Sequence, residues 1–333
     1  MADARVEERA VWPVTLEDVR AARERLRGHL GPTPLRSYAA LDAAVGGGIR
    51  VWVKHENHQP TGAFKVRNAL AVLTSMPPDA LRRGVVAATR GNHGLGLAWA
   101  GARLGAPVTV CVPLGNNPEK NEAMRGLGAT LVEEGRDYDD AVAVADRLVA
   151  ERGLTLVHST NHPQIVAGAG TLTLEMLEQQ PELEALVFGV GGGSQAVGGL
   201  TVVRGLGSRL PVYAVQAERA GAIHDSWQAG EPRPRASADT FADGLATRNV
   251  YPFTFAALRE GLAGFVAVSE GELAEAMRVL IRTTHTLVEG AGAAGLAALW
   301  RLREALAGRH AGIVISGGNV DEATLRRVLN REI

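Results

Sequence analysis

Lys65 is a candidate for covalent chemistry with a ligand. It follows the turn Gln59-Pro60-Thr61-Gly62-Ala63-Phe64, where a helix is predicted to begin. Lysine forms Schiff bases with aldehydes, and the positive end of a helix dipole favours the neutral form of an amine. Lysine is also rare here, because Lys54, Lys65 and Lys120 are the only three in the chain. We therefore treat Lys65 as a candidate nucleophile, with a solvated surface lysine as the alternative.

Three junctions between an apolar run and a polar loop carry further candidates. Gly191-Gly192-Gly193-Ser194 could hold a phosphate, because glycines allow close approach of the backbone and a helix start offers free N–H groups. Thr89-Arg90-Gly91-Asn92-His93 could form a second anion site. The Ser316 hydroxyl could bond a ring nitrogen. Each could equally be a turn or a helix cap, but a lysine, a phosphate site and a ring-nitrogen partner together are what pyridoxal phosphate requires.

The glycine junction also leaves a different class of enzyme open. Gly191-x-Gly193-x-x-Ala196 satisfies a loose dinucleotide fingerprint. Glu218 ends the next apolar run, about where an acid that binds a ribose would fall. A nicotinamide-dependent dehydrogenase is therefore the rival, and it leaves Lys65 without a function.

The elements that must position these residues alternate between strand and helix. Such alternation predicts an α/β fold with mainly parallel sheets, in which ligands bind at the carboxyl ends of strands. The predicted strands are 51–53, 85–88, 108–112, 129–132, 185–188, 212–215 and 313–315. The predicted helices are 15–28, 94–104, 139–152, 270–284 and 290–306.

Composition sets outer limits on the function. A chain of 333 residues suggests two domains, and a net charge of −1 indicates neither nucleic acid nor anionic lipid as a partner. The sequence has no run of about 18 apolar residues, so it predicts no membrane-spanning helix. The lone Cys111 is predicted to be a buried thiol, and residues 1–8 show no apolar targeting segment. We expect a cytoplasmic protein.

Several motifs in the same order resemble the serine/threonine dehydratase family. The resemblance implies the tryptophan-synthase-β-like fold, fold type II of the pyridoxal-phosphate enzymes, and a homodimer. It implies a large domain, 1–83 with 157–333, a small domain, 84–156, and the cofactor in the cleft between them. The motifs are 59–67, Gly91-Asn92-His93, 190–194, 240–246, Glu289-Gly290-Ala291-Gly292-Ala293-Ala294 and 316–321.

The resemblance also implies the parts that individual residues take. Lys65 matches the Schiff-base lysine, Phe64 the residue that flanks the cofactor ring, and Asn92 the partner of the 3-hydroxyl. Ser316 matches the pyridine-nitrogen partner, and Glu289 is placed with the cofactor-binding residues. The phosphate loop is Gly191, Gly192, Gly193 and Ser194, and the substrate-carboxylate site is Thr89, Arg90, Gly91, Asn92 and His93. No metal is assigned, although Glu218 matches one cation ligand of some relatives.

The activity implied is the dehydration and deamination of a β-hydroxy amino acid, most simply L-threonine or L-serine, to a 2-oxo acid and ammonia. Hydroxyaspartate, phenylserine or an amino acid derived from hydroxyectoine stay open as substrates, and so does a binding protein without activity. Relatives that racemise serine carry a serine where this chain has Arg90, so we expect little racemase activity. Arg90 could contact an acidic or polar substrate tail, or face solvent.

Overall fold

Two sheets organise the chain in a computed structural model, which describes residues 11–136 and 138–333. Residues 1–10, where the sequence predicts no targeting segment, lie outside the described residues, as does residue 137. The strands are β1 (Leu35–Ser37), β2 (Arg50–His55), β3 (Val85–Ala88), β4 (Val108–Val112), β5 (Thr130–Glu133), β6 (Thr155–Leu156), β7 (Ala185–Gly189), β8 (Val212–Ala217), β9 (Gly264–Val268) and β10 (His310–Ile315).

Helices follow most of the strands and cover the sheets. Short 3₁₀ turns occur at Glu56–His58, Glu218–Ala220 and Asp243–Leu245. The α-helices are α1 (Leu16–Leu26), α2 (Ala39–Val45), α3 (Lys65–Leu73), α4 (Pro78–Arg83), α5 (Asn92–Leu104), α6 (Pro118–Gly126), α7 (Tyr138–Arg152), α8 (Pro163–Gln179), α9 (Ser194–Gly205), α10 (Ala222–Ala229), α11 (Pro252–Gly261), α12 (Glu270–Thr284), α13 (Gly290–Arg301) and α14 (Glu322–Leu329). No described helix combines the length and the apolar character that a membrane crossing requires.

The larger sheet has six strands in the order β1-β2-β10-β7-β8-β9. Only β1 is antiparallel to its neighbour, and the other pairings are parallel. In β10, Ile313 lies opposite Val53 on one side and Val187 on the other, and all three side chains are buried. The loops that leave the carboxyl ends of β2, β10 and β7 therefore lie side by side.

The smaller sheet has four parallel strands in the order β5-β4-β3-β6. Its central strands β3 and β4 are buried at every position, as their almost entirely apolar sequence predicts. Cys111 is buried in β4, and burial raises the pKa of its thiol to about 11. The strands of this sheet run from Val85 to Leu156; the domain boundaries at 84 and 156 stay a prediction.

The prediction of an α/β fold with mainly parallel sheets is confirmed. Strands 85–88 and 108–112 and helix 270–284 begin and end where they were predicted. Helix α12 starts at a capping box between Ser269 and Glu272, and α1 at one between Thr15 and Asp18. Helix α13 ends earlier than predicted, at Arg301. Strands β1, β6 and β9 were not predicted, since the first two are only 3 and 2 residues long.

Candidate functional site

The carboxyl ends of four strands meet at one cleft. Three of them, β2, β10 and β7, are neighbours in the larger sheet, and they lead to Lys65, Ser316 and the loop at Gly191–Gly193. The fourth, β3 of the smaller sheet, leads to Thr89–His93. The cleft has a volume of about 370 Å³, and sites for small molecules typically measure about 300–1,000 Å³.

Every site residue predicted from the sequence lines this cleft. They come from segments as far apart in sequence as Phe64 and Ser316, so the fold rather than local sequence brings them together. The lining includes Phe64, Lys65, Thr89, Arg90, Gly91, Asn92, His93, Gly191, Gly192, Gly193, Ser194, Glu289 and Ser316.

Lys65 is the first residue of α3, as predicted, and its amine lies in the cleft. Its Nζ lies 3.4 Å from the carbonyl oxygen of Ser159 and 5.0 Å from the centre of the Phe64 ring. No carboxylate in the described part of the chain forms an ion pair with it. Burial lowers the pKa of the amine to about 8, so a substantial fraction of Lys65 is neutral near physiological pH.

Two helices that carry glycines pack closely against the backbone of α3. A Cβ atom at Gly96 of α5 would lie 2.8 Å from the carbonyl oxygen of Lys65. A Cβ atom at Gly168 of α8 would lie 2.7 Å from the carbonyl oxygen of Arg67. Both distances are shorter than a real Cβ contact, so each position requires glycine. The start of α3 is therefore held from two sides.

A buried charge network also holds the start of α3. Arg67 donates to both carboxylate oxygens of Glu56, at 2.7 and 2.9 Å, and to both of Glu175, at 2.6 and 2.8 Å. Lys54 donates to Glu175 at 2.7 Å. These four residues join β2, the turn after it, α3 and α8. Two cations and two anions balance, so burial leaves no net charge.

The glycine loop forms an anion cradle at the start of α9. Gly193 has a φ of 98°, in the left-handed region that favours glycine. A Cβ atom at Gly191 would lie 2.3 Å from the carbonyl oxygen of Gly244, and one at Gly192 would lie 2.0 Å from Thr160 Oγ1. The backbone N–H groups of the three glycines donate to no other residue that the structure describes. They are thus available to a phosphate.

A hydrogen-bonded chain of side chains lies on another side of the cleft. Asn92 Nδ2 donates to Glu289 Oε1 at 2.7 Å, and Asn319 Nδ2 donates to Asn92 Oδ1 at 2.7 Å. Burial raises the pKa of Glu289 to about 7, although nearby Lys120 and the bond from Asn92 act in the opposite direction. One N–H of Asn92 stays available to a ligand.

The Thr89–His93 loop presents a helix start to the cleft. Gly91 N–H donates to Thr89 Oγ1 at 3.2 Å, and α5 begins at Asn92. The first amides of a helix have no partner within it, so they can bind a carboxylate. His93 donates through Nε2 to the carbonyl oxygen of Val157 at 2.9 Å. Burial, with Lys65 nearby, lowers the pKa of His93 to about 3, so the ring is neutral.

Sequence reasoning missed four charged residues that line the cleft. Lys120 of α6 forms an ion pair with Asp243 at 2.5 Å, and Arg248 forms one with Asp139 of α7. Both pairs join a helix of the smaller sheet to the segment 243–248. Lys120 could have been found, because it is one of the three lysines. Asp243 lies within the motif 240–246, although no part in the site was predicted for it, and Asp139 and Arg248 lie in no motif.

The dinucleotide alternative lacks its acidic residue at the cleft. Glu218 is exposed, lies 3.8 Å from Arg301 and is not part of the lining. The nearby His224 Nδ1 contacts Asp225 at 3.4 Å. Among the described residues, no three His, Cys, Asp or Glu side chains are grouped as a metal site. The residues present therefore suit pyridoxal phosphate, through a free amine, a free amide cradle and the Ser316 hydroxyl, better than a dinucleotide.

Comparison with known proteins supports the same conclusion. The family model described as pyridoxal-phosphate dependent enzyme matches residues 26–317. An L-threonine ammonia-lyase of Thermotoga maritima is 34% identical over 318 residues, which is 96% of this chain and 79% of the relative. An L-threo-3-hydroxyaspartate ammonia-lyase of a Pseudomonas species is 36% identical over 304 residues, covering 91% of this chain and 95% of the relative.

Solved structures are similar over nearly the whole chain. A threonine deaminase from T.th. superposes with a TM-score of 0.86 and 34% identity, over 92% of this chain and 99% of that one. Maize serine racemase superposes with a TM-score of 0.90 and 27% identity, over 96% of this chain and 98% of that one. The fold is that of the fold type II enzymes.

Proposed function

The chain belongs to the serine/threonine dehydratase-like pyridoxal-phosphate dependent enzymes, and on that premise we propose that it converts a β-hydroxy amino acid into a 2-oxo acid and ammonia. L-Threonine and L-serine are the simplest substrates. One observation carries the proposal: the Lys65 amine, the free amides of Gly191–Gly193 and the Ser316 hydroxyl line a single cleft.

These residues define how the cofactor would be held. Lys65 Nζ is the amine to which its aldehyde would be attached, and Gly191–Ser194 would bind its phosphate. The Ser316 hydroxyl has no partner among the described side chains, so it can bond the ring nitrogen as a neutral group. The free N–H of Asn92 would reach the 3-hydroxyl, and Phe64 would flank the ring. When bound, pyridoxal phosphate supplies an electron sink for charge that develops on the substrate Cα.

The chain's own residues would do the rest of the chemistry. A lysine with a pKa of about 8 can take and return a proton near neutral pH. Lys65 would therefore remove the Cα proton once the substrate has taken its place. The amides at the start of α5 would hold the α-carboxylate. The ring of His93 is neutral and contributes no charge there. Loss of the β-hydroxyl as water leaves an unsaturated amine. Hydrolysis of that amine gives the 2-oxo acid and ammonia.

The Lys65→Ala variant tests the proposal directly. We expect the wild-type holoprotein to absorb visible light, to become labelled at residue 65 after borohydride reduction, and to release equal amounts of ammonia and 2-oxo acid. Lys65→Ala should lose the label and the turnover. Arg83→Ala, a change of an exposed residue outside the cleft lining, should keep both. Turnover retained by Lys65→Ala would refute the assignment.

A second substrate class has specific support. A relative named L-threo-3-hydroxyaspartate ammonia-lyase is as similar to this chain as the threonine ammonia-lyases are.

We also propose that the protein is a cytoplasmic homodimer. The single buried cysteine suits a reducing compartment, and size-exclusion chromatography with light scattering would measure the mass.

A further inference from the structure

Seven charged side chains line the cleft in the described part of the chain, and four of them form ion pairs with one another. Lys120 pairs with Asp243 at 2.5 Å, and Arg248 pairs with Asp139. Each pair contributes no net charge. The charged residues of the lining are Lys65, Arg90, Lys120, Asp139, Asp243, Arg248 and Glu289.

Two of the three residues that are left belong to the cofactor site. Lys65 is the attachment amine of the proposed function. Glu289 is bonded by Asn92 at 2.7 Å, and its pKa of about 7 leaves it partly protonated. Arg90 is different, because its side chain is exposed and no described carboxylate lies within ion-pair distance of it. A guanidinium stays protonated at any working pH. Arg90 is therefore the one permanent cation of the described lining without a matching anion.

Arg90 also stands beside the site of the α-carboxylate. It lies between Thr89 and Gly91, directly before the helix start at Asn92 whose free amides suit a carboxylate. Arg90 and the residues that begin this helix line the same cleft. A guanidinium can form two parallel hydrogen bonds with a carboxylate, which adds geometric selectivity to the charge attraction.

We propose that Arg90 is a specificity residue that binds a second carboxylate, so that the cleft prefers β-hydroxy amino acids whose side chain is acidic. The inference rests on the proposed function and narrows its substrate class. A neutral β-hydroxy amino acid has no net charge and leaves Arg90 unmatched. A β-hydroxy amino acid with a second carboxylate has a net charge of −1 and supplies an anion for Arg90.

The experiment compares the kcat/KM values of the holoenzyme for L-threo-3-hydroxyaspartate and L-threonine. A hydrogen-bonded charge pair is worth about 10- to 100-fold in binding. Arg90→Ala should therefore lower the ratio of the two kcat/KM values, hydroxyaspartate over threonine, by about that factor. Arg90→Lys should retain part of the ratio, because it keeps the charge and loses the paired bonds. Arg83→Ala removes an exposed arginine outside the cleft lining and should leave the ratio unchanged.

Other outcomes overturn the inference. An unchanged ratio in Arg90→Ala would mean that Arg90 faces solvent or binds the α-carboxylate common to both substrates. A weaker affinity for pyridoxal phosphate with an unchanged ratio would mean that Arg90 contacts the cofactor instead. Both results leave the proposed function intact, provided that the wild-type enzyme deaminates threonine. A wild-type holoenzyme that deaminates neither substrate would refute the proposed function itself.

Discussion

Replacing Arg67 with methionine should destabilise the protein far more than replacing an exposed arginine. The five N–H groups of Arg67 make five hydrogen bonds, two to Glu56, two to Glu175 and one to Thr171. Arg67 and Glu56 are 2% and 0% exposed. Methionine has a similar length but donates nothing, so both carboxylates lose their main partner inside the protein.

The magnitude follows from burial. Breaking a buried ion pair by removing one partner costs about 3–5 kcal/mol, because it leaves an uncompensated charge. An exposed pair contributes about 0–1 kcal/mol. Arg82 provides the matched control, since it pairs with Asp79 and both side chains are more than 70% exposed. We therefore expect Arg67→Met to lose several times more unfolding free energy than Arg82→Met.

The pH dependence offers a second check. Burial by itself raises the pKa of Glu56, but Arg67, with smaller contributions from Lys54 and Thr33, outweighs it and the net pKa is lowered. A lowered pKa stabilises the native state above the unfolded value of 4.5 and loses that effect as the pH falls. Without Arg67, burial would raise the pKa of Glu56. Protonation of Glu56 would then remove the unpaired buried charge from the variant. The difference between wild type and Arg67→Met should thus shrink as the pH falls towards 4.5.

Urea unfolding, followed by circular dichroism at neutral pH and near pH 5, measures both effects. The same preparations report whether the network holds Lys65 in place, through the amount of pyridoxal phosphate that the variant retains. If Arg67→Met and Arg82→Met lost similar free energy at neutral pH, the buried network would contribute no more to stability than an exposed ion pair. Its charges would then not be what holds the start of α3.

Two further predictions concern the cleft. Glu289 keeps its proton to a pKa of about 7, against 4.5 unfolded. Its contribution to stability is therefore complete below 4.5 and lost as the pH rises through 7. Glu289→Gln should remove that loss in unfolding measured across the same range, and an unaltered pH profile would contradict the raised pKa. Gly192→Ala should weaken pyridoxal phosphate binding at least tenfold, about 1.4 kcal/mol, because its Cβ would lie 2.0 Å from Thr160 Oγ1. In a cofactor titration Gly126→Ala, with open space around its Cβ, should bind normally.

Local patterns were sufficient to predict the parts of the site. Strand β3 is an unbroken apolar run, and the glycine loop follows another one, β7. Both signals lie within about ten residues of the loop they predict. Parallel pairing then places such loops at one edge of the sheet without any knowledge of side-chain contacts. This is why the predicted residues that follow β2, β10 and β7 lie together, whereas the loop after β3 belongs to the smaller sheet and reaches the cleft through the packing of the two sheets.

Long-range pairs could not be predicted in this way. Lys54 finds Glu175 across 121 positions of sequence, and Lys120 finds Asp243 across 123. Nothing in the residues around either partner specifies the other, because the contact depends on how two sheets and their helices pack. Sequence alone could single out Lys65, through the turn before it and the predicted helix start, but it could not show what Lys54 and Lys120 contact.

The surroundings of the three lysines do tell them apart. A nucleophilic amine needs a lone pair that is not engaged. Lys54 Nζ donates to three acceptors, the carbonyl of Thr33 and the side chains of Glu175 and Gln179, so its three protons are all engaged. Burial lowers the pKa of Lys120, but Asp243, together with Glu289 and Asp321, outweighs it and the net pKa is raised, which keeps that amine charged. Lys65 has only a carbonyl oxygen at 3.4 Å and a pKa of about 8. Of the three, Lys65 alone combines access to the cleft with an amine that is partly neutral near physiological pH, which is the property that attachment of an aldehyde demands.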